Sequence, residues 1–282
     1  MPLISNNPPS IAGLISLFSC PHCQEGLLSW SFPESVLSLP EQGSAVCRRC
    51  QRSYPLEEGI FDFLRGTDHD EVITPFQRLM QFPPITSIYE RYWRPLGFFV
   101  ASSTSFRKFS AELIQKLEPE RRNVILDLAC GPGLFACPLA LQSRGWVVAF
   151  DLSLPMLRQA RKTALRSNIR NILFVRGSAF HLPFQNEALD AILCSGALHL
   201  FDRPEMALAE ISRTLKRDGR FVCQTTLKPK HWAGLARFLD HVIRFGFFES
   251  IEDLNKKLQR AGIQVERAWS RRIIHTFQAR RV

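Results

Sequence analysis

From Asn123 onward the apolar positions fall into two alternating periods. Short, nearly continuous apolar runs, "NVILDLA" (123–129), "WVVAFD" (146–151), "NILFVRG" (171–177), "LDAILCSG" (189–196) and "RFVCQTTL" (220–227), read as strands buried on both faces. Between them, helical spacing holds over residues 134–143, 155–167 and 204–215. A further helical segment, "SIEDLNKKLQRAG", precedes strands near "IQVERAW" and "IIHTFQA". Strand followed by helix, several times over, predicts an α/β fold: a Rossmann-like, seven-stranded, mostly parallel sheet with helices on both faces, occupying residues 120–282.

The pattern before Pro119 is different. Residues 67–119 read as helical, with irregularly spaced aromatics in "PFQRLMQFPPITSIYERYWRPLGFF" and a cleaner amphipathic stretch in "SFRKFSAELIQKLEP". The Pro83-Pro84 pair must interrupt any helix there, so this part is expected to be a helical lid or linker. Residues 1–66 carry "CPHC" and "CRRC", separated by 23 residues. Two residues between cysteines let both thiolates of a knuckle face one ion, and two such knuckles complete a tetrahedral set. Cys20, Cys23, Cys47 and Cys50 are therefore expected to bind a structural Zn2+ in a small ribbon-like domain. His22 lies inside the first knuckle, where four cysteines already saturate the ion.

Composition adds bounds. The 282 residues are 45% hydrophobic and 22% charged, ordinary globular usage, and no apolar run approaches the roughly 20 residues that span a bilayer. A soluble chain without a transmembrane segment is the expectation. The first residues have no basic region and no small-residue cleavage site, so cytoplasmic residence is the default expectation. The other four cysteines lie scattered through apolar segments, which favours free thiols over disulfides. A net charge of +10, with Arg267, Arg271, Arg272, Arg280 and Arg281 crowded near the C-terminus, leaves open an anionic partner such as RNA or simply a solvated basic face.

The chemistry concentrates in "VILDLACGPGLFA". Ligands of open α/β sheets bind beyond the C-terminal strand ends, and Asp127, Ala129, Gly131 and Gly133 occupy alternate positions along one such exit. Gly131, Gly133 and Ala136 also satisfy a dinucleotide-type glycine pattern, with Asp151 lying 18 residues past Gly133. A dinucleotide would bring an anionic pyrophosphate to the turn, where Asp127 repels it and Pro132 removes a backbone donor. S-adenosylmethionine presents cationic ammonium and sulfonium groups instead, which a carboxylate attracts. Asp151 suits the ribose hydroxyls in either case. Asp127 is what selects the methyl donor.

With these motifs on the page, the region from about 120 to 282 resembles class I S-adenosylmethionine-dependent methyltransferases, through "DLACGPG", "FDLSLPMLRQAR", "RGSAFHLPFQNEALDAILCSGALH" and "ALAEISRTLKRDGRFV". The resemblance implies cofactor contacts at Asp127, Ala129, Gly131, Gly133, Asp151, Leu152, Met156, Ser178, Ala179 and Ser195. Met156 would pack on the adenine, and Ser178 and Ala179 would lie at its edge. Family members commonly carry aspartate where this chain has Ser178, so the resemblance implies a weaker grip. The N-terminal cysteines with "IYERYWR" and "ALHLFDRP" resemble a group of bacterial and plastid methyltransferases related to the quinone-type C-methyltransferases, in which a zinc unit precedes the catalytic domain. The likeness to the zinc-headed rRNA guanine methyltransferases is looser.

Methyl transfer from a sulfonium depends mainly on alignment and exclusion of water. His199, in "GALH", is the candidate base if the acceptor holds its proton, with a packing role as the alternative. Tyr89 and Arg94 of the lid are candidates to close over the cofactor. The fourth-strand exit "CSGALHLF" lacks the Asn/Asp-Pro-Pro-Tyr/Phe motif used on exocyclic amines of nucleic-acid bases. A small-molecule acceptor methylated on carbon or oxygen, phenolic or quinone-like, is the first expectation; an rRNA or tRNA base is the alternative.

Overall fold

A computed structural model of the chain describes residues 10–24, 26–31, 41–65, 103–228 and 247–282. Tyr89, Arg94 and most of the expected lid lie outside the described residues. The elements in chain order are α1 (Ile11–Ile15), β1 (Leu28–Trp30), β2 (Gly43–Cys47), β3 (Ser53–Glu57), β4 (Ile60–Asp62), α2 (Phe106–Leu117), β5 (Val124–Leu128), α3 (Ala136–Gln142), β6 (Trp146–Asp151), α4 (Leu154–Arg166), β7 (Ile172–Arg176), β8 (Leu189–Ser195), α5 (Pro204–Thr214), β9 (Leu215–Thr226), α6 (Ile251–Arg260), β10 (Ile263–Arg271) and β11 (Ile274–Arg281).

The expected seven strands are present in the order β7-β6-β5-β8-β9-β11-β10, with β7 through β9 parallel and β11 antiparallel to both neighbours. All five residues of β5 are buried, which is why its sequence shows no polar alternation. On one face pack α2, α3 and α4, through Leu113, Leu139 and Leu157 among others. On the other pack α5 and α6, through Leu208, Ile211, Leu254 and Leu258. Local chemistry agrees with these boundaries. Ser250 accepts from the Asp253 N–H at 3.1 Å, and α6 carries acids in its first turn and Lys257 and Arg260 in its last.

The sheet does not stop at seven strands, as the sequence reading has it. β1 to β4 form an antiparallel meander, and β4 then pairs in parallel with β7, so eleven strands share one sheet. A three-residue strand whose partner lies 114 positions away, as Ile60 does from its register partner Phe174, leaves no periodic trace in the sequence. The pairing removes an exposed parallel edge at β7, which would otherwise present a row of open backbone groups. A second seam joins the residues after α1 to the loop before β8: Phe18 bridges Phe184, the Ser19 N–H donates to the Pro183 carbonyl at 3.1 Å, and the Gln185 N–H donates to the Leu17 carbonyl at 2.9 Å. The Phe18 ring lies 4.6 Å from Phe184, 5.8 Å from Trp30 and 6.0 Å from Phe63. One hydrophobic core therefore runs from α1 through the sheet to α6. Among the described residues no helix is long and apolar enough to cross a membrane.

Because Phe18 is fully buried where the N-terminal strands meet the main sheet, Phe18→Ala should cost about 3–5 kcal/mol. Urea unfolding followed by far-ultraviolet and tryptophan signals should shift as one transition; two separated transitions would show that the N-terminal unit does not share the core.

Candidate functional site

Strands β7, β6, β5 and β8 are consecutive in the sheet, so their C-terminal ends form one edge. Asp127, at the end of β5, is buried between Ala149 and Leu193, its register partners on β6 and β8. The chain then turns sharply, with Ala129 at φ 56°, Gly131 at 55° and Gly133 at 84°. Only glycine takes such values without cost, and an alanine there marks a constrained turn. A Cβ on Gly133 would approach the Ala160 Cβ to 3.0 Å, so that glycine lets the loop sit directly on α4. Among the described residues a Cβ on Gly131 would meet no heavy atom within 4 Å, which leaves that side of the loop free for close approach by a ligand.

Asp151 closes this loop against the next strand. One carboxylate oxygen accepts the Gly131 N–H at 2.8 Å and the other accepts the Ser153 N–H at 2.8 Å. Burial pushes its pKa up, and the N–H groups of Ser153, Gly131 and Leu152 oppose that rise. A carboxylate has about four acceptor positions, so capacity remains for ligand hydroxyls. Leu152 and Met156 are half-buried beside it, Met156 in the first turn of α4. The next loop brings Ser178 and Ala179, both buried, to the same edge; the Ser178 hydroxyl accepts the Phe180 N–H at 3.1 Å.

Past β8, Ser195 donates to Gln224 Oε1 at 3.2 Å, and the Gly196 N–H donates to the Gln224 carbonyl at 2.9 Å. His199 follows in a short turn over Leu198–Leu200, with its Nδ1 3.3 Å from the Thr225 hydroxyl. Burial lowers the His199 pKa from 6.5 to about 3, so the imidazole is neutral at physiological pH. Its chain neighbours Ala197 and Leu198 are buried; in the adjoining loops the Phe180 and Phe201 rings meet edge-on at 6.1 Å, and the Arg203 guanidinium lies 4.9 Å over the Phe180 ring. Every candidate cofactor residue within the described part of the chain thus lies along one edge. Sequence reading misses Gln224, Thr225 and Ser153, because their relevance comes from pairing across strands or from a buried hydroxyl at the start of a helix, neither of which has a linear signature.

The four cysteines form a second centre. Their sulfur atoms all lie within 4.8 Å of one another, with Cys20 to Cys50 at 3.7 Å and Cys23 to Cys47 at 3.6 Å. A tetrahedron with metal–sulfur bonds of about 2.3 Å has edges of about 3.8 Å, so the donors fit a four-thiolate ion. The two knuckles are built alike. Gln24 and Gln51, each just after the second cysteine of its pair, have φ 56° and 58°, and their N–H groups donate to the carbonyls of Cys20 and Cys47 at 2.8 and 3.0 Å. Burial opposes ionisation of Cys47, but the backbone N–H groups of Cys50 and Arg49 outweigh it and bring the thiol down to about 7. Any side chain at Gly26 would collide with the Cys47 sulfur and come within 2.9 Å of that of Cys23.

Residues 126–223, which carry the whole of this edge from Asp127 to Ser195, match the family model described as a methyltransferase domain. The chain carries a class I methyltransferase domain. It is 30% identical over 223 residues to a chloroplastic methyltransferase of Arabidopsis thaliana, an alignment covering 75% of this chain and 62% of that protein. It is 36% identical over 108 residues to a demethylmenaquinone methyltransferase of Lactiplantibacillus plantarum, covering 37% of this chain and 46% of that one. The complex of the Haloferax volcanii Trm112 methyltransferase activator with its methyltransferase contains a chain of like fold, with a TM-score of 0.57 at 16% identity, covering 74% of this chain and 99% of that one. The methyltransferase domain therefore sets the fold and the general chemistry, and the chain spans less than two thirds of the length of the Arabidopsis relative.

An unfolded histidine takes up a proton below about pH 6.5, whereas buried His199 resists until about 3. Proton uptake by the unfolded chain should therefore erode the domain's stability progressively as pH falls from 6.5 toward 3. His275, also lowered by burial, acts in the same direction. Denaturant midpoints measured across this window should fall less steeply for His199→Gln than for wild type; parallel curves would remove His199 from the account.

Proposed function

We propose that the protein transfers a methyl group from S-adenosylmethionine to carbon or oxygen of a small, largely apolar acceptor of phenolic or quinone-like type. The observation that carries the acceptor class is the neutral, buried His199, next to buried Ala197 and Leu198 and within reach of the Thr225 hydroxyl. A buried, uncharged imidazole suits an aromatic molecule with a hydroxyl or carbonyl, and itself offers a phosphate no positive charge. The relative named as a demethylmenaquinone methyltransferase supports the same class.

When bound, the cofactor supplies an electrophilic methyl on a sulfonium. Asp127 offers negative charge at the strand exit where the cofactor's cationic end would lie, and the Asp151 carboxylate, already oriented by two N–H groups, accepts from the ribose hydroxyls. Met156 would pack on the adenine, Leu152, Ser178 and Ala179 would border it, and Ala129, Gly131 and Gly133 would admit close approach. Ser195, held by Gln224, is proposed as a further cofactor contact at the end of β8. His199 is the candidate base. With a pKa near 3 it is weak, so its contribution lies mainly in orienting a hydroxyl rather than in holding a proton. Tyr89 and Arg94 are proposed to close over this edge. The four-cysteine centre is proposed to hold Zn2+, with no open position for chemistry.

Methyl label from the cofactor should enter a quinone- or phenol-containing extract and leave total RNA unlabelled, with His199→Gln reducing turnover about 10- to 100-fold while cofactor affinity stays within a factor of about two. Label appearing in RNA, with binding that weakens steeply with salt, would favour the rRNA or tRNA reading.

Metal analysis should give one zinc per chain. Cys23→Ser should lose that zinc and unfold at lower temperature, whereas a metal-free wild type of unchanged stability would rule out a structural ion.

A further inference from the structure

Arg176, the last residue of β7, stands in register with Asp62 of β4 on one side and with Asp151 of β6 on the other. Its guanidinium is used in two directions. Nη1 donates to Asp62 Oδ2 at 2.9 Å, and Nε donates to the Leu152 carbonyl at 3.1 Å. The second oxygen of Asp62 accepts the Leu64 N–H at 3.0 Å, which fixes the carboxylate plane, and the Arg176 carbonyl accepts the Phe63 N–H at 2.9 Å. The pair is largely shielded, with side chains 28% and 14% exposed. Leu152 lies between Asp151 and Ser153, the residue that opens α4.

We propose that Arg176 is a positioning residue for the cofactor edge and that Asp62, supplied by the four-cysteine unit, sets its orientation. The proposal rests on the methyltransferase reading given above. A guanidinium is a rigid planar fork, so fixing one prong on Asp62 fixes where the other points. That other prong holds the one backbone carbonyl between the ribose acid and the start of α4. Without Asp62, Asp151 is the neighbouring acid in the row, and a guanidinium drawn toward it would release Leu152. Without the fork, the Leu152 carbonyl loses its donor and the segment Asp151–Leu152–Ser153 loses its outer restraint. The N-terminal unit thereby acts on cofactor affinity as well as on folding.

Other ties between the same unit and the domain serve as the comparison. Glu58 and Arg158 form a forked pair at 2.8 and 2.9 Å, but both side chains are more than half exposed and neither bonds the 151–153 segment. Exposed pairs of this kind contribute little.

The test is calorimetric binding of adenosylhomocysteine to the full-length, metal-loaded protein, with zinc content and thermal midpoint measured on every variant. Arg176→Lys keeps the charge and loses the fork; it should weaken binding about tenfold. Asp62→Asn, nearly isosteric, should weaken it about three- to tenfold with zinc content unchanged, and remains informative if the Arg176 variant folds poorly. The double variant should bind no more weakly than Arg176→Lys alone, because Asp62 acts through Arg176. Glu58→Gln should bind as wild type does. Wild-type binding with undiminished affinity in Asp62→Asn and Arg176→Lys would overturn the relay and leave the methyltransferase reading standing. Additive losses in the double variant, or an equal loss in Glu58→Gln, would also overturn it by pointing to general docking. A wild-type protein that ignores adenosylhomocysteine would overturn both readings together.

Discussion

The Asp151 carboxylate is the constraint on which the cofactor edge depends. By taking the Gly131 N–H with one oxygen and the Ser153 N–H with the other, it binds the loop after β5 to the start of α4. The loop has glycines at φ 55° and 84°, and Ser153 makes no side-chain cap to its helix; the Arg176 Nε bond to the Leu152 carbonyl is the other charged restraint on the second segment. Two charge-assisted hydrogen bonds in a buried setting set the spacing of the exits before any ligand arrives. A site arranged in advance loses less conformational entropy on binding, so the interior placement of Asp151 serves recognition even though burial disfavours its charge.

Much of this was readable in the chain. Continuous apolar runs located β5 to β8 to within a residue or two, and Pro155 and Pro204 marked the starts of α4 and α5, since proline is tolerated only in the first turn. The residues from Asp127 to His199 were legible as one site because parallel strands place their C-terminal ends on a common edge whenever consecutive exits carry polar or small residues. What could not be read were contacts made across distance. Arg176 looks like an ordinary strand-end charge until Asp62 is beside it, and Gln224 looks like a buried polar residue on β9 until it is seen to hold Ser195 and Gly196. The neutrality of His199 was equally hidden. Its sequence neighbours are apolar, but only its enclosure in the fold, against Thr225 of β9, determines how far burial lowers its pKa.

The joined sheet changes what a structural metal would do. In an independent ribbon, metal binding supplies folding energy to that ribbon alone. Here Tyr54 and Phe61 pack in the same core as Phe18 and Phe184, and β4 supplies backbone pairing to β7. Energy gained at Cys20, Cys23, Cys47 and Cys50 is then shared with the strand whose exit leads to Ser178 and Ala179. The coupling also runs the other way, because β7 offers β4 a template that a short strand of three residues could not find by itself.

The charge surplus also reads differently once the chain is folded. The arginines near the C-terminus look like one basic cluster in the sequence, which is the main compositional argument for a polyanion. In the structure three of the five are held by carboxylates: Arg271 with Glu112 at 3.0 Å, Arg280 with Glu266 at 3.6 Å and Arg281 with Glu187 at 3.0 Å. Arg271 ties the β10–β11 hairpin to α2, and Arg281 ties it to the loop before β8, so these charges fasten the outer strands to the body of the sheet. An arginine already holding a carboxylate must release it before it can hold a phosphate. Net charge alone therefore overstates the attraction for RNA on this face, and the choice of acceptor returns to the buried, uncharged His199.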